Sequence, residues 1–290
     1  MSSRIIALLT DFGYRDPFVG MMKGVMLGIN PELQLIDISH EVTPQRIREA
    51  AILLSVAFPY FPAQSIFLVV VDPGVGGTRR PIVVETAEHL FVGPDNGVLG
   101  PVLSQAEVRR VIHATQTTYF RQSVSRTFHG RDVFAPLAAW LSRGVDVRQL
   151  GVEIADYVRL ELPQPHALAE NALAGEVIYR DRFGNLITNI SESYMTERWG
   201  PPEWEGVRAH IETSIIDGLA SHYAQRAPHT LGMIINSWGL VEVFVNGGSA
   251  AQATGAVEGT PIRISRHEDA PRSASSRDQT HSTAPDLPDA

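Results

Sequence analysis

An aspartate at the end of an apolar run is the first candidate for chemistry in this chain. Residues 65–71 are apolar and β-branched, and the run is too short for a stable helix, which predicts a strand buried on both faces. Asp72 follows directly, and a glycine-rich turn then leads to Arg79 and Arg80. Because open α/β sheets bind ligands at the carboxyl ends of their strands, we expect a binding site here. A turn closed by a surface ion pair is the structural alternative.

Three further polar groups follow predicted strands in the first half of the chain. Asp11 comes after residues 4–9, where a carboxylate can accept hydrogen bonds from a ribose diol. Asp95 and Asn96 come after a strand predicted over 90–92, although the same residues are also common turn formers. His129 precedes a glycine and an apolar helix predicted over 133–141, which Asp132 is placed to cap. A structural histidine at this junction is the alternative to a functional one.

Three turns in the second half of the chain, at 181–185, 236–239 and 246–251, combine polar, aromatic and glycine residues. A flat ring can stack on a base, and charged or amide groups can hold a zwitterion. Each turn taken alone is also consistent with a simple hairpin. The candidate contacts are Asp181, Phe183, Asn185, Ser237, Trp238, Asn246 and Ala250.

The elements that carry these residues predict an α/β protein of two domains. Strands alternate with helices over 18–30 and 45–58, which indicates a mostly parallel α/β sandwich over residues 1–160. The apolar rhythm stops in a proline-containing linker, 161–171, and short strands over 172–266 suit a small β-barrel. Residues 267–290 are rich in Ser, Pro, Asp and Ala, and we expect them to be disordered.

Composition limits the possible functions. The 290 residues carry a formal net charge of -8, which argues against nucleic-acid binding because phosphate recognition needs a basic face. The absence of cysteine excludes disulfides, thiolate catalysis and cysteine-ligated metals. Five apolar residues after Arg4 are too few for a leader peptide or a membrane span, so a cytoplasmic location is expected. The partner is therefore expected to be a small molecule.

Six motifs in order resemble the S-adenosylmethionine hydrolase (adenosine-forming) family. This family is also called S-adenosylmethionine hydroxide adenosyltransferase, and it is related to the fluorinase and chlorinase enzymes. The resemblance extends from about Arg4 to Ile264. The motifs are Thr-Asp-Phe-Gly at 10–13, Asp-Pro-Gly-Val-Gly at 72–76 with the arginines at 79 and 80, Pro-Asp-Asn-Gly at 94–97, Thr-Phe-His-Gly-Arg-Asp at 127–132, Phe-Gly-Asn at 183–185 and Asn-Gly-Gly-Ser-Ala-Ala at 246–251.

The resemblance implies attack of water or hydroxide on the ribose C5′ of S-adenosylmethionine, which releases adenosine and L-methionine without a cofactor. It also implies a homotrimer whose sites lie between the amino-terminal domain of one subunit and the barrel of its neighbour. The catalytic positions of the family are matched by Asp72, Arg79 and His129, and Asp11 matches its ribose-binding acid. Asp181 and Ser237 match the groups that meet the methionine ammonium and carboxylate, and Phe183 and Asn185 match the adenine contacts.

Three alternatives are consistent with the same residues. A metal-dependent hydrolase would use Asp11, His40, Asp72, Asp95 and His129 as ligands, although no close ligand pair supports a metal site. A non-catalytic adenosine or S-adenosylmethionine binding module would have no use for Asp72, Arg79 and His129 together. A halogenase is the third, but the halogenases resemble this chain with a tyrosine where Asp72 stands. The fluorinase also has a serine where Gly130 stands and an insertion near residues 86–90.

Overall fold

The computed structural model describes residues 5–200 and 206–266, so the tail expected to be disordered, 267–290, lies outside the described residues. The chain divides into two compact units between Gln164 and Pro165. Within the described residues, none of the helices is long and apolar enough to cross a membrane.

The first unit is built on a seven-stranded sheet. Its strands are β1 (Ile5–Thr10), β2 (Gln34–Ser39), β3 (Ile66–Val70), β4 (Pro81–Thr86), β5 (Leu90–Pro94), β6 (Val108–Ala114) and β7 (Gly151–Glu153). Its helices are α1 (Phe18–Ile29), α2 (Ile47–Ala57), α3 (Gly100–Gln105) and α4 (Ala135–Ser142). The spatial order of the strands is β2-β1-β3-β5-β4-β6-β7.

The sheet is mixed, which corrects the expectation of a mostly parallel one. β1 pairs in parallel with β2 and β3, and β3 pairs in parallel with β5, whereas the pairings of β4 with β5, β4 with β6 and β6 with β7 are antiparallel. Only three residues connect β4 to β5, and a parallel crossover needs about a dozen. The short connection therefore forces a hairpin. The α/β class itself is confirmed.

Alternate residues of the central strands enter two different hydrophobic cores. On β1, Ile6 and Leu8 pack with α1 and α4, and Ala7 and Leu9 pack with α2. All residues of β3 are buried, as expected for a strand covered on both faces. Burial on both faces fixes the strand register, because a slip of one residue would exchange the two sets of side chains. Once the register is fixed, the positions of the strand ends and of the polar groups that follow them are fixed as well.

The second unit is mainly antiparallel. Its elements are β8 (His166–Ala169), β9 (Ala172–Arg180), β10 (Leu186–Ser191), α5 (Glu192–Trp199), β11 (Val207–Ile211), β12 (Ser214–Asp217), β13 (Leu219–Ala220), β14 (Leu231–Ile235), β15 (Leu240–Val245), α6 (Ala250–Thr254) and β16 (Pro261–Arg266). The strand order is β12-β11-β16-β9-β10-β15-β14-β13, with β8 on β9. β12 also approaches β14, so the sheet curls nearly into a barrel.

Candidate active site

Asp72 and Arg79 form a buried ion pair just beyond the end of β3. The Nε atom of Arg79 lies 3.0 Å and 2.9 Å from the two carboxylate oxygens of Asp72, and Nη2 lies 2.5 Å from Oδ2. The side chains are only 5% and 9% exposed, respectively. The guanidinium also lies 5.1 Å from the centre of the Phe134 ring, a cation–π distance. The Asp72 carboxylate is therefore held in one orientation.

The same guanidinium reaches His129. Nη2 of Arg79 lies 2.7 Å from Nδ1 of His129. Partial burial and the Arg79 charge lower the pKa of His129, whereas the charges of Asp72 and Asp132 act in the opposite direction. The geometry and the electrostatics both favour a neutral imidazole. Asp72, Arg79 and His129, which the sequence analysis grouped as candidates, thus form one connected chain.

Two backbone contacts hold the turn that carries Asp72 and Arg79. The amide of Asn96 donates to the carbonyl of Val71 at 2.9 Å, which fixes the residue before Asp72. Gly76 has a φ of +77°, and a Cβ there would lie 2.2 Å from the carbonyl oxygen of Arg126. Only glycine allows this approach, which brings the turn against the segment that leads to His129.

Asp132 anchors that segment from within a buried π-helical turn, Gly130–Phe134, that leads into α4. Its carboxylate accepts hydrogen bonds from Arg121 at 3.1 Å, Arg131 at 2.7 Å and the backbone N–H of Ser125 at 2.9 Å. Burial would raise the pKa of Asp132, but these donors lower it overall. The expected cap role of Asp132 is wrong, because the helical turn begins before it and its side chain ties down residues 121–131 instead.

A pocket of about 340 Å³ opens beside these groups in the first unit. Asp11 lines it, and Oδ2 of Asp11 accepts a hydrogen bond of 2.8 Å from the backbone N–H of Gln45. Burial raises the pKa of Asp11, although the hydrogen bond from Gln45 opposes this shift. Arg79 lies behind Asp72 and His129 rather than in the wall. The wall comprises Asp11, Phe12, Phe18, Pro44, Gln45, Val70, Asp72, Pro73, Val75 and residues 127–130.

The other two residues of the metal alternative already have protein partners. Asp95 is bound by Arg80, with Nε 2.8 Å from Oδ2, and accepts the backbone N–H of Val158 at 2.7 Å. His40 is fully buried, with Nδ1 2.8 Å from the hydroxyl of Thr10. Within residues 5–200 and 206–266, no group of three or more His, Asp or Glu side chains could hold a metal ion. The five residues named for a metal site are thus not brought together as one.

In the second unit, Asp181 organises the turn that carries Phe183 and Asn185. Oδ1 of Asp181 accepts both backbone N–H groups at 2.9 Å and 2.8 Å, and Oδ2 accepts the amide of Asn185 at 2.9 Å. Gly184, with a φ of +83°, approaches Ser249 so closely that a Cβ would lie 2.1 Å from its hydroxyl oxygen. The ring of Phe183 remains 76% exposed. An aromatic face is thus presented on a tightly constrained turn.

The turn at 236–239 is held by Asn236. Its side-chain oxygen accepts the backbone N–H groups of Trp238 at 2.9 Å and Leu240 at 3.1 Å. The Trp238 ring packs against Tyr179 at 5.6 Å, and Ser237 is exposed. This arrangement leaves the Ser237 hydroxyl available to a ligand.

The last two predicted contacts, Asn246 and Ala250, have structural roles within the second unit. Asn246 donates to the carbonyl of Arg226 at 2.7 Å, and Ala250 is fully buried at the start of α6. The Asn246 N–H₂ group and the Ala250 side chain are thus engaged within the unit, and the contact of either residue with a ligand stays a prediction.

Sequence reasoning missed two features of the pocket wall. Gln45 adopts a left-handed backbone with a φ of 66°, and its N–H holds Asp11. Phe12, Phe18 and Phe128 form a cluster with ring centres 5.2 to 5.8 Å apart. Phe12 and Phe128 lie within the motifs at 10–13 and 127–132, which could have indicated this part of the cluster. No sequence signal marks the conformation of Gln45.

The comparisons with known proteins agree with this architecture. Residues 6–151 match the SAM hydroxide adenosyltransferase N-terminal domain, and residues 175–263 match the C-terminal domain. An (R)-S-adenosyl-L-methionine hydrolase from Salinispora tropica is 36% identical over 262 residues, which cover 89% of this chain and 97% of that protein. A fluorinase from an Actinoplanes species is 27% identical over 212 residues, covering 64% of this chain and 71% of that protein.

A solved structure extends the likeness to three dimensions. The crystal structure of an uncharacterized conserved protein from Thermotoga maritima has a TM-score of 0.84 and 36% identity, and the match covers 90% of this chain and all of that one. The two domain matches fall one in each compact unit and together span most of the chain. The chain therefore belongs to the SAM hydroxide adenosyltransferase family.

Proposed function

We propose that this chain hydrolyses S-adenosyl-L-methionine to adenosine and L-methionine by attack of water on the ribose C5′. The observation that carries the proposal is the chain of Asp72, Arg79 and His129 at the wall of a pocket that Asp11 also lines. Membership of the family supports it, as do relatives named (R)-S-adenosyl-L-methionine hydrolase.

The reaction depends on a correctly oriented nucleophile more than on a general acid. In S-adenosylmethionine the C5′ carbon is bonded to a positively charged sulfur, so the leaving group departs as neutral methionine thioether. The new O–C5′ bond forms as the C5′–S bond breaks, and the bond pair stays on sulfur. The attacking water must lose one proton. A protein group that holds the water in line and accepts that proton lowers the barrier.

Asp72, Arg79 and His129 divide these tasks. The Asp72 carboxylate accepts a hydrogen bond, and then the proton, from the attacking water. Arginine has only donors, so Nδ1 of His129 accepts from Arg79 and the ring proton lies on Nε2. Nε2–H can donate to the water oxygen and hold it against C5′. Arg79 fixes the orientation of both neighbours and contributes positive charge where hydroxide character develops.

The substrate contacts form the second part of the proposal. Asp11 binds the ribose diol, Phe183 and Asn185 contact the adenine, and Asp181 and Ser237 bind the methionine ammonium and carboxylate, with Trp238, Asn246 and Ala250 nearby. Asp95 and Asn96 were also predicted as contacts. Their side chains are occupied by Arg80 and by the carbonyl of Val71, which favours a supporting role. No cofactor is required by this scheme.

Product analysis in isotopically labelled water tests the reaction. Purified protein incubated with S-adenosylmethionine in H₂¹⁸O should release adenosine that carries ¹⁸O at the 5′-hydroxyl, together with unlabelled methionine. Unchanged substrate after long incubation would favour a binding module. Loss of activity on treatment with a chelator, with recovery on adding a divalent ion, would favour the metal-dependent alternative. Adenosine without the label would contradict attack of water at C5′.

The proposal includes a homotrimer with sites shared between subunits, as the resemblance implies. Mixing His129→Ala protein with Asn185→Ala protein should then regenerate some intact sites and restore activity. Mixed trimers that recover no activity, with subunit exchange confirmed by mass spectrometry, would argue for a site within one chain. The proposed cytoplasmic location is checked by cell fractionation.

A further inference from the structure

His40 is a fully buried histidine behind the pocket wall, and the proposed mechanism does not use it. It follows the end of β2 directly, and Thr10 ends the neighbouring strand β1. Since β1 and β2 are parallel, with Leu9 opposite Ser39, the two strand ends meet at the same edge of the sheet. Asp11, which lines the pocket, is the next residue after Thr10.

His40 holds the loop that carries Asp11, which we define as residues 10–13, through two of its own atoms. Its carbonyl oxygen accepts the N–H of Gly13 at 2.7 Å. Its Nδ1 lies 2.8 Å from Oγ1 of Thr10, and that oxygen accepts the N–H of Phe12 at 3.2 Å. The main chain on both sides of Asp11 is thereby tied to one buried residue.

The far side of the imidazole faces a carboxylate. Nε2 of His40 lies 3.0 Å from Oδ1 of Asp37, and Oδ2 of Asp37 is 2.7 Å from the ammonium of Lys23, the single lysine of the chain. Partial burial raises the pKa of Asp37, but Lys23 and His40 outweigh this and the net shift is downward. Asp37 is therefore anionic at neutral pH.

The anionic partner sets the direction of the hydrogen bonds. A carboxylate opposite Nε2 favours the ring proton on that nitrogen, so Nδ1 carries the lone pair. The Thr10 hydroxyl then donates to Nδ1 while its oxygen accepts from Phe12. The hydrogen-bond order runs from the Phe12 N–H through the Thr10 hydroxyl to Nδ1 of His40, and Nε2 of His40 lies next to the Asp37 carboxylate as a close polar contact. The Thr10 hydroxyl and Nδ1 of His40 thus each have one fixed role, which stiffens the loop.

We propose that His40 is a positioning residue, which acts through Thr10 to hold Asp11 in place for the ribose of the substrate. The inference rests on the proposed ribose-binding role of Asp11. A group that binds the ribose equally in the ground and transition states contributes to KM and not to kcat. Misplacing Asp11 should therefore weaken substrate and adenosine binding and leave the chemical step nearly intact.

The test removes one hydrogen bond at a time. Thr10→Val keeps the shape and loses the hydroxyl, and we expect it to raise KM and the adenosine Kd about 10-fold with kcat changed less than about threefold. Thr10→Ser restores the hydroxyl and should recover most of the affinity. His40→Leu should resemble Thr10→Val, and His40→Asn, which can place an amide oxygen near the position of Nδ1, should recover part of the loss. Thermal unfolding checks that each variant is folded.

Two results separate failure of the inference from failure of the proposed function. Wild-type adenosine affinity in both Thr10→Val and His40→Leu, with weak binding in Asp11→Asn, would overturn the role of His40 alone. Equal losses of kcat and affinity without rescue by serine or asparagine would also overturn it, since they would indicate general disruption. Unchanged adenosine binding in Asp11→Asn would instead remove Asp11 from ribose binding.

Discussion

One nitrogen of Arg79 serves two partners: Nη2 lies 2.5 Å from Oδ2 of Asp72 and 2.7 Å from Nδ1 of His129. Arginine cannot accept a hydrogen bond, so the imidazole must offer its lone pair at Nδ1. A proton placed on Nδ1 would point at the guanidinium and break the contact. The arrangement therefore exists only while His129 is neutral.

The first prediction concerns the protonation of His129. Burial and the Arg79 charge lower its pKa, so it should stay neutral as the pH falls through 6.5, its ordinary value. By linkage, its contribution to stability is present above the pKa of the unfolded chain and is lost as the pH falls through the lower folded value. Ring ¹⁵N NMR, assigned with His129→Asn, should show an Nε2–H tautomer and a titration midpoint below 6.5. A midpoint at or above that ordinary value would contradict it.

The second prediction is that Asp72→Asn, Arg79→Ala and His129→Ala each lower kcat by about 100-fold or more with little change in substrate Kd. Because these groups act on the nucleophile, their loss destabilises the transition state more than the bound substrate. Arg79→Ala should also lower the free energy of unfolding by ~3–5 kcal/mol, since it leaves a buried carboxylate unpaired. Single-turnover kinetics and denaturant unfolding measure the two effects.

A matched control for these variants is Asp156→Asn. Asp156 also pairs with an arginine, Arg80, but its side chain is 80% exposed. An exposed ion pair contributes little to stability, so this variant should keep both activity and stability. A wild-type kcat in Asp72→Asn, Arg79→Ala or His129→Ala would remove the substituted residue from the mechanism.

The closeness of the polar groups at the pocket could be predicted from the sequence because parallel strands bring their carboxyl ends to one edge. Asp11 and Asp72 follow β1 and β3, which pair directly, so their closeness follows from strand order alone. The helix caps were harder to predict. α4 begins at Ala135 without a side-chain cap, although Asp132 was expected to supply one, because the tertiary contacts of Asp132 with Arg121 and Arg131 outweigh a local cap preference.

Contacts between distant segments could not be predicted from local pattern. The bond from Gln45 to Asp11 and the approach of Gly76 to Arg126 join residues 34 and 50 positions apart, which neither periodicity nor turn chemistry encodes. The hydrophobic pattern determined the strands and their faces, whereas the packing of loops determined which polar groups meet.

The third prediction is that Gly76→Ala strongly destabilises the first unit and lowers kcat. The added Cβ would lie 2.2 Å from the carbonyl oxygen of Arg126, so the turn must move away from the segment that leads to His129. Gly144→Ala is a matched control, since Gly144 also has a positive φ, +89°, but open space around it. The control should lose only about 1–2 kcal/mol, the cost of the left-handed backbone. Thermal and denaturant unfolding measure the stability of both variants. If Gly76→Ala loses no more stability than Gly144→Ala, the clash is relieved without cost.

The fourth prediction concerns the left-handed residue at the pocket wall. Gln45→Gly keeps the N–H that binds Asp11 and removes the cost of a side chain at a φ of 66°, so adenosine affinity should be unchanged. Gln45→Pro removes the donor and cannot adopt this φ, and we expect a loss of affinity of about 10-fold or more. Calorimetric titration with adenosine measures both. Equal affinity in the two variants would show that the N–H of Gln45 does not hold Asp11.

The last prediction is that water, and not a halide, is the nucleophile. The Asp72 carboxylate is in the pocket wall, whereas Arg79 lies behind it with Nε and Nη2 already committed to Asp72 and His129. An anion about 4 Å from this carboxylate would be repelled by about 4 kcal/mol at an effective dielectric constant of about 20, less the partial neutralisation by Arg79. Water meets no such barrier and can give its proton to the same oxygen. The charge therefore selects the nucleophile by repulsion as well as by attraction.

Chromatography of reactions run with high chloride or fluoride checks this selection. Adenosine and methionine should be the sole products, at the same rate as in a nitrate control of equal ionic strength. Asp72→Asn removes the proton acceptor, so it should slow hydrolysis. A 5′-halo-5′-deoxyadenosine as a major product of the wild-type protein would place the chain with the halogenases instead.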